Sequence, residues 1–167
     1  MSFSLLADVE VRKITELEPQ WFSARDIRLV LLDFDNTIVP YTTSEPSEEF
    51  VRWKAALEQA GIRIMVVSNS RKSRRVPVFC EKWNIPWIRH AGKPNPKGIR
   101  KAMERMNETP EHTAMAGDQT FTDILGANLA GVTSILAYPL YFSNPFQRIR
   151  YGIERPFIAA GRKKRKR

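Results

Sequence analysis

The most constraining feature of the sequence is a nearly continuous apolar run that ends on acidic residues. The run covers residues 28–34 and reads RLVLLDF. A strand that is apolar on both of its faces is typical of a parallel sheet covered by helices on both sides. The run therefore predicts a buried central strand in an α/β domain. Ligands of such domains bind beyond the carboxyl ends of the strands, which is where the acidic residues lie.

Short apolar runs alternate with helical patterns along the rest of the chain. Further strands are predicted at 62–67, 87–90, 113–116 and 132–137, and helices at 47–60, 71–83, 96–106 and 121–130. Within the second of these helices, Pro77 either introduces a kink or moves the start of the helix. The alternation predicts a three-layer α/β/α domain with a central parallel sheet of about five strands.

The length of 167 residues and the lack of a Pro/Gly/Ser-rich linker fit one domain. We expect this domain over 1–150, with residues 1–26 leading into the first core strand. An amphipathic C-terminal helix over 140–158 and a basic, disordered tail over 161–167 would follow. The apolar positions of the terminal segment, which include Ile149 and Ile153, suit either a helix packed on the sheet or one lying at an anionic membrane surface.

The net charge of +9 is unevenly distributed, because the last six residues are all Lys or Arg and the remainder carries only about +3. This tail suits a solvated end, or contact with an anionic membrane or a nucleic acid. The lone Cys80 cannot form an internal disulfide, and the N-terminus lacks the pattern of a signal peptide. No apolar run approaches the roughly 20 residues that span a bilayer. We expect a cytoplasmic protein, either free or peripheral at the inner face of the membrane.

The acids at the end of the first core strand are Asp33 and Asp35, in the sequence DFDNT. The two-residue period of a strand places both on one side. Two close carboxylates are unfavourable without a compensating cation, and their oxygens suit a hard ion such as Mg²⁺. One acid could then attack phosphorus while the other donates a proton to the leaving oxygen. A plain turn after the strand is the alternative explanation of this motif alone.

Three further polar elements follow in order at predicted strand ends. Ser68, in VVSNS, could hold a phosphoryl oxygen or cap a helix. Lys93, in AGKPNPK, could neutralise a phosphoryl group or be an exposed loop lysine, and Lys97 is a competing candidate. Asp118 and Asp123 lie in GDQTFTD, where acids near a helix start also stabilise the helix dipole. The ordered occurrence of all four elements predicts a phosphoryl-transfer site.

These four motifs resemble those of the haloacid dehalogenase (HAD) superfamily. The sequences LLDFDNTIVPY, VVSNS, AGKPNPKG and GDQTFTDILGANLAG, with the approach VRKITELEPQWFSARDIRLV, resemble the YqeG-type branch of its class IIIA phosphatases over roughly residues 8–150. That branch is similar to mitochondrial and plastid phosphatidylglycerophosphate phosphatases. The resemblance implies the HAD-like Rossmannoid fold and an Mg²⁺-dependent phosphomonoester hydrolase.

The resemblance also implies catalytic roles. Asp33 would form an aspartyl-phosphate, and Asp35 would act first as acid and then as base. Mg²⁺ would be held by the Asp33 side chain, the Asp35 backbone carbonyl and the Asp118 side chain. Lys93 would bridge the phosphoryl group to Asp33. Superfamily members that attack carbon lack the second acid, so the presence of Asp35 disfavours a dehalogenase.

Phosphate binding and support are implied for five other residues. Ser68 and Asn69 would bind the phosphoryl group, and Thr37 would assist by ordering the loop. Asn36 would support the same loop. Asp123 would support either Lys93 or the metal shell.

Only about 30 residues separate the DFDNT motif from Ser68, which leaves no room for a large cap domain. Capless members of this superfamily tend to act on bulky phosphates, and the similar branch implies phosphatidylglycerophosphate as substrate. A soluble sugar phosphate, nucleotide or phosphoprotein is the alternative, as is a nucleic-acid-binding protein with a vestigial site. A second basic cluster, expected at the rim of the site, consists of Arg71, Lys72, Arg74 and Arg75.

Overall fold

The computed structural model describes residues 4–70, 74–142 and 145–165, and for Phe146 and residues 162–165 only the backbone. Its strands are β1 (Val9–Val11), β2 (Leu29–Leu32), β3 (Arg63–Val67), β4 (Trp87–Ile88), β5 (Thr113–Gly117) and β6 (Thr133–Ala137). Its α-helices are α1 (Pro19–Ser23), α2 (Glu48–Gln59), α3 (Arg75–Lys82), α4 (Lys97–Met106), α5 (Leu125–Ala130) and α6 (Pro145–Arg165).

The strands form one six-stranded sheet in the order β1-β6-β5-β2-β3-β4, and every neighbouring pair is parallel. The predicted α/β fold with a parallel sheet is confirmed, with one strand more than the expected five. The additional strand, β1, has only three half-buried residues, too few for a periodicity to be recognised. After β4 the chain crosses back to the other side of β2, so the carboxyl ends of β2 and β5 lie side by side at a topological switch point.

The core lies on both faces of the sheet because the side chains of β2 alternate between them. Val30 and Leu32 belong to a buried cluster that also contains side chains of α1, α2 and α3. Leu29 and Leu31 belong to a second cluster with α4 and α5. All four are fully buried, which explains why this strand is apolar throughout. Burial of each such side chain contributes about 1.5–3 kcal/mol, which anchors the strand that carries the first motif.

The helices begin close to the predicted positions, with two differences. Helix α2 starts after Ser47, whose hydroxyl accepts a hydrogen bond from the Phe50 N–H at 3.1 Å, as an N-cap does. Helix α3 begins at Arg75 with Pro77 in its first turn, and residues 71–73 of that prediction lie outside the described residues. The helix predicted at 121–130 is divided into a π-helical turn, Thr120–Ile124, and α5.

Helix α6 is longer than the expected 140–158 segment. It runs from Pro145 to Arg165 with Pro156 inside it, so it includes residues 161–165 of the tail for which disorder was expected. Its Ile158 packs against Ile124 and Leu136, which places the helix beside the π-helical turn and β6. Of the helices within the described ranges, none combines the length and the apolar character needed to cross a membrane.

Candidate active site

The site lies where β2 and β5 end beside each other. The Asp33 N–H donates to the Ala116 carbonyl at 2.8 Å, which extends the pairing of the two strands by one residue. Asp118 follows the end of β5, so both acids come to the same edge of the sheet. Both side chains are buried. Asp33 and Asp118 therefore lie at neighbouring strand ends, as the sequence predicted.

Lys93 is the cationic centre of this arrangement. Its Nζ lies 2.8 Å from Asp33 Oδ1, 2.7 Å from Asp123 Oδ1 and 2.6 Å from the Val67 carbonyl oxygen. Burial alone would lower the pKa of Lys93, but the carboxylates of Asp123 and Asp33 outweigh it and raise the pKa above its usual value. Lys93 is therefore protonated at neutral pH. The competing candidate, Lys97, is exposed at the start of α4.

Residues of the VVSNS motif hold the Lys93 segment in place. The Asn69 side-chain amide donates to the Lys93 carbonyl at 2.8 Å and accepts from the Lys93 N–H at 2.9 Å. The Ser68 hydroxyl accepts from the Ser70 N–H at 3.0 Å. The Asn69 amide thus positions Lys93, and its expected contact with phosphate stays a prediction. Ser68 is buried and remains a candidate for phosphate binding.

The electrostatic environment of Asp33 is unusual for a carboxylate. Burial raises the pKa of Asp33 to about 7, Lys93 opposes this increase, and Asp123 and Asp35 add to it. Burial thus disfavours the Asp33 carboxylate when no further cation is bound beside it. This property fits a residue that works together with a metal ion.

Three carboxylates form a cluster that fits a divalent cation. One oxygen atom from each of Asp33, Asp118 and Asp123 lies within 4.8 Å of the others. Asp118 Oδ1 is buried without a hydrogen-bond partner among the described residues. Burial raises the pKa of Asp118 well above its usual value, with further contributions from Asp123 and Asp33. Carboxylate oxygens without enough local positive charge are suitable ligands for a hard cation such as Mg²⁺.

The π-helical turn places Asp123 in this cluster. The Gln119 N–H donates to Asp123 Oδ2 at 3.0 Å, and the Asp123 N–H donates to the Gln119 carbonyl at 2.8 Å. A Cβ atom on Gly117 would lie 2.2 Å from the Asp123 carboxyl group, so only glycine permits this approach. Sequence periodicity cannot distinguish this widened turn from an ordinary helix start. π-Helical turns are frequent at functional sites.

The side chain of Asp35 forms an ion pair with Arg75 at the start of α3. The same guanidinium donates to the carbonyl groups of Pro40 and Thr43 and lies 5.0 Å from the centre of the Phe34 ring. Of the predicted rim cluster, Arg75 contacts the site, whereas Arg74 is exposed. Its other two members, at positions 71 and 72, lie outside the described residues.

Residues of three of the four motifs line one open cavity of about 250 Å³. It is lined by Asp33, Asp35, Tyr41, Ser68, Asn69, Ser70 and Gln119. Tyr41 was missed by the sequence reasoning. Burial raises the pKa of its phenol to about 12, with contributions from Asp35 and Asp118, so the phenol is a neutral donor at the cavity wall.

Asn36 and Thr37, the two predicted residues not yet described, do not line this cavity. The Asn36 side chain is fully buried in the loop, whose turn is closed by a 2.7 Å hydrogen bond from the Asn36 N–H to the Val39 carbonyl. Thr37 lines a separate cavity of about 260 Å³ next to α2. Both positions are compatible with ordering the loop, and that role stays a prediction.

Helix α6 reaches the site from the far end of the chain. Arg150 Nη2 lies 3.0 Å from Asp118 Oδ2. One turn later the buried Glu154 carboxylate faces the backbone N–H groups of Thr120 and Phe121, where the π-helical turn begins. Sequence reasoning missed both residues. One feature of the sequence could have indicated them. Glu154 is the only acid after residue 123, and it follows Arg150 by four positions, one turn of a helix.

This arrangement provides the parts of a phosphoryl-transfer site on a parallel α/β fold. It has a buried carboxylate at a strand end, a second acid two residues later, a buried ammonium group and a carboxylate cluster for a cation. Such a site can bind a phosphate, neutralise its charge and supply both a nucleophile and a proton donor. Comparisons with known proteins identify the class.

The chain belongs to the family described as Mitochondrial PGP phosphatase, whose model matches residues 3–139. It is 32% identical over 160 residues to "Probable phosphatase YqeG" of Bacillus subtilis, a match that covers 95% of this chain and 92% of the relative. The chain is thus a phosphatase of the family that includes YqeG, as the sequence predicted.

Solved structures share the fold at low identity. The cobalt-bound deoxy-D-mannose-octulosonate 8-phosphate phosphatase of Haemophilus influenzae has a TM-score of 0.54 and 17% identity, covering 69% of this chain and 80% of its own. A protein of Legionella pneumophila assigned to the HAD superfamily, subfamily III A, has a TM-score of 0.53 and 16% identity, covering 70% and 69%. These neighbours support the HAD fold alone.

Proposed function

We propose that this phosphatase hydrolyses phosphatidylglycerophosphate to phosphatidylglycerol and phosphate, with Mg²⁺ as cofactor and an aspartyl-phosphate on Asp33 as intermediate. The observation that carries the reaction is the contact of the buried Lys93 ammonium with Asp33, 2.8 Å apart, in a cluster with Asp118. The family match supports this substrate, with PGP read as phosphatidylglycerophosphate. The relative and the fold neighbours support the reaction class.

In the first step, Asp33 attacks phosphorus. A bond forms between its carboxylate oxygen and phosphorus while the bond from phosphorus to the glycerol oxygen breaks. Asp35 donates a proton to that leaving oxygen. Because Asp35 contacts Arg75 in the free protein, the leaving oxygen has to replace this contact.

In the second step, Asp35 takes a proton from a water molecule whose oxygen attacks the phosphorus of the aspartyl-phosphate. Inorganic phosphate leaves and the Asp33 carboxylate is regenerated. Lys93 and the Ser68 hydroxyl would hold the phosphoryl oxygens throughout. The Asp33 and Asp118 carboxylates with the Asp35 carbonyl would hold Mg²⁺, which supplies charge neutralisation at these oxygens.

The open cavity supports a bulky substrate. Between the first two motifs the chain contains the site loop, α2 and β3, and α2 packs into the core through Phe50, Trp53 and Leu57. No segment of that stretch therefore forms a cap over Asp33. We infer that a lipid headgroup phosphate can enter while the rest of the lipid stays outside. Such a substrate places a cytoplasmic enzyme at the inner face of the membrane, with the basic C-terminus near anionic lipids.

A panel of phosphate esters tests the proposal. Phosphate release is measured for phosphatidylglycerophosphate, a sugar phosphate, a nucleotide and a phosphopeptide, each with Mg²⁺ or with EDTA. We expect Mg²⁺-dependent release that is fastest for the lipid. The Haemophilus influenzae neighbour acts on a sugar phosphate. If the sugar phosphate were the preferred substrate here, the lipid would be the wrong substrate, but the proposed reaction would stand. Steeply salt-dependent RNA binding without any phosphate release would favour a vestigial site on a nucleic-acid-binding protein.

A further inference from the structure

Helix α6 has two faces of opposite character. Its inward positions carry the buried Ile158 and two charged groups that reach the site, Arg150 and Glu154. Its outward positions carry large apolar side chains, since Ile149 is 61% exposed and Ile153 is 57% exposed. A surface helix of a globular protein normally has polar residues facing water, so the exposed isoleucines are the unusual feature.

The outward face is an uncharged stripe. Positions 145, 149, 152, 153, 156 and 160 are Pro, Ile, Gly, Ile, Pro and Ala, all of them exposed and within one sector of the helix at its 3.6-residue period. Tyr141, just before the helix, is 54% exposed. Three of the four large hydrophobic side chains that are more than half exposed in the described residues therefore lie between 141 and 153. Clustered exposed apolar residues indicate an interaction surface.

Charges of one sign border this stripe. Arg148 and Arg155 are exposed beside it. The only acid from 145 to 167 is Glu154, which is buried against the π-helical turn, and the chain ends in six consecutive Lys or Arg residues. The surface thus combines an apolar centre, an aromatic residue at one end and a cationic border.

We propose that this face of α6 is a docking surface for an anionic lipid bilayer, with Ile149 and Ile153 inserted between lipids and the arginines at the headgroups. Amphipathic helices with this pattern of charge and apolar residues lie in the plane of a membrane interface. Nucleic acid would use the cations but would leave the isoleucines exposed to water. A second copy of this chain would bring the arginines of both copies together.

The docking surface rests on the proposed function, because membrane binding is useful to this enzyme if its substrate is a lipid. The opposite face of the same helix contacts Asp118 and the π-helical turn, so a docked helix would hold the site next to the membrane.

Co-sedimentation of the full chain with vesicles tests the surface directly. Vesicles of phosphatidylcholine alone are compared with vesicles of equal parts of phosphatidylcholine and phosphatidylglycerol. The variant carries Ile149→Asp and Ile153→Asp. The matched control is Val78→Asp, because Val78 is 58% exposed on α3 and lies outside the stripe. Melting temperatures and circular dichroism verify that all proteins are folded.

We expect the wild type and Val78→Asp to bind the anionic vesicles and not the phosphatidylcholine vesicles. The double variant should lose at least about tenfold in the vesicle partition coefficient, because it places two charges where apolar side chains enter the interface. Equal binding by the double variant, or no binding by the wild type, would overturn the docking surface. A wild-type dimer that the double variant dissociates, without vesicle binding, would assign the face to a second copy.

Phosphate release from the same proteins separates this inference from the proposed function. Hydrolysis of a short-chain phosphatidylglycerophosphate below its micellar concentration requires no membrane, so all three proteins should retain it. Vesicle binding together with no hydrolysis would overturn the proposed function and leave the docking surface standing. Hydrolysis without vesicle binding would do the opposite.

Discussion

Two cations among the described residues contact the acidic cluster of this site, and they come from different parts of the molecule. The Lys93 side chain is 1% exposed and contacts two carboxylates and a backbone carbonyl at the centre of the fold. The Arg150 side chain is 20% exposed and pairs with Asp118 from the C-terminal helix. Lys93 lies within the segment that the family model matches, whereas Arg150 lies beyond its end at residue 139.

The difference in burial suggests two roles: Lys93 takes part in the reaction, and Arg150 holds the site in place. Lys93 cannot be removed without leaving Asp33 and Asp123 buried and uncompensated. The Arg150 side chain is nearer the solvent. Without it, Asp118 would still lie beside the carboxylates that Lys93 contacts. We therefore expect changes at Lys93 to abolish function and changes in α6 to weaken it.

The largest effect is expected for Lys93→Met. Activity should fall at least about 10²-fold to 10³-fold because a preorganised positive charge at the phosphate is lost. Unfolding should become easier by roughly 3–5 kcal/mol, since one partner of a buried ion cluster is removed. Phosphate release and urea denaturation measure the two quantities.

Lys97→Met is the matched control because Lys97 is an exposed lysine four residues later. Its activity should stay close to that of the wild type. An inactive Lys97→Met protein beside an active Lys93→Met protein would reverse the choice of motif lysine.

Asp118→Asn should separate metal binding from stability. We expect loss of Mg²⁺-dependent activity, about 10²-fold or more, because a charged ligand of the cation is removed. In EDTA the variant should melt at a higher temperature than the wild type, because burial and neighbouring acids disfavour the Asp118 carboxylate. Phosphate release measures the loss of activity, and thermal melts with EDTA and with Mg²⁺ measure the change in stability. A lower melting temperature in EDTA would show that the Arg150 contact outweighs the repulsion.

Arg150→Gln and Glu154→Gln address the support from α6. Groups that hold metal ligands in place typically contribute 10-fold to 100-fold to metal affinity or activity. We expect a loss of about tenfold that appears mainly in the Mg²⁺ concentration required, with kcat at saturating Mg²⁺ less affected. Arg148→Gln, an exposed arginine on the same helix, is the control, with the short-chain substrate that requires no membrane. Losses at Arg150 as large as those at Lys93 would remove the distinction between the two cations.

The smallest effect is the pH dependence of stability without metal. The folded-state pKa of Asp33 is raised to about 7, above its unfolded value of about 3.9. The protonated form therefore stabilises the fold fully below pH ~4, and this contribution is lost as the pH rises through about 7. We expect the melting temperature in EDTA to fall by roughly a few degrees between pH 5 and 8. Saturating Mg²⁺ should reduce this fall, and a rise would contradict the raised pKa.

Much of the site could be predicted because its residues follow strands. Asp33 and Asp118 come directly after β2 and β5, and the parallel pairing of those strands brings them together. Lys93 required the motif resemblance, because a loop lysine has no periodicity that would place it. Arg150 and Glu154 could not be assigned, since nothing in a terminal amphipathic pattern shows which face meets the site. The Arg75 pair with Asp35 depends in the same way on how α3 sits against the first motif loop.

The most direct measurement of the central claim is chemical trapping of the intermediate. The wild-type protein is mixed with phosphatidylglycerophosphate and Mg²⁺, quenched in acid and reduced with borohydride, and its peptides are mapped by mass spectrometry. An aspartyl-phosphate is reduced to homoserine, so we predict this change at Asp33 and at no other acid, and its absence in Asp33→Asn. Phosphate release without modification of Asp33, or full activity of Asp33→Asn, would contradict the account.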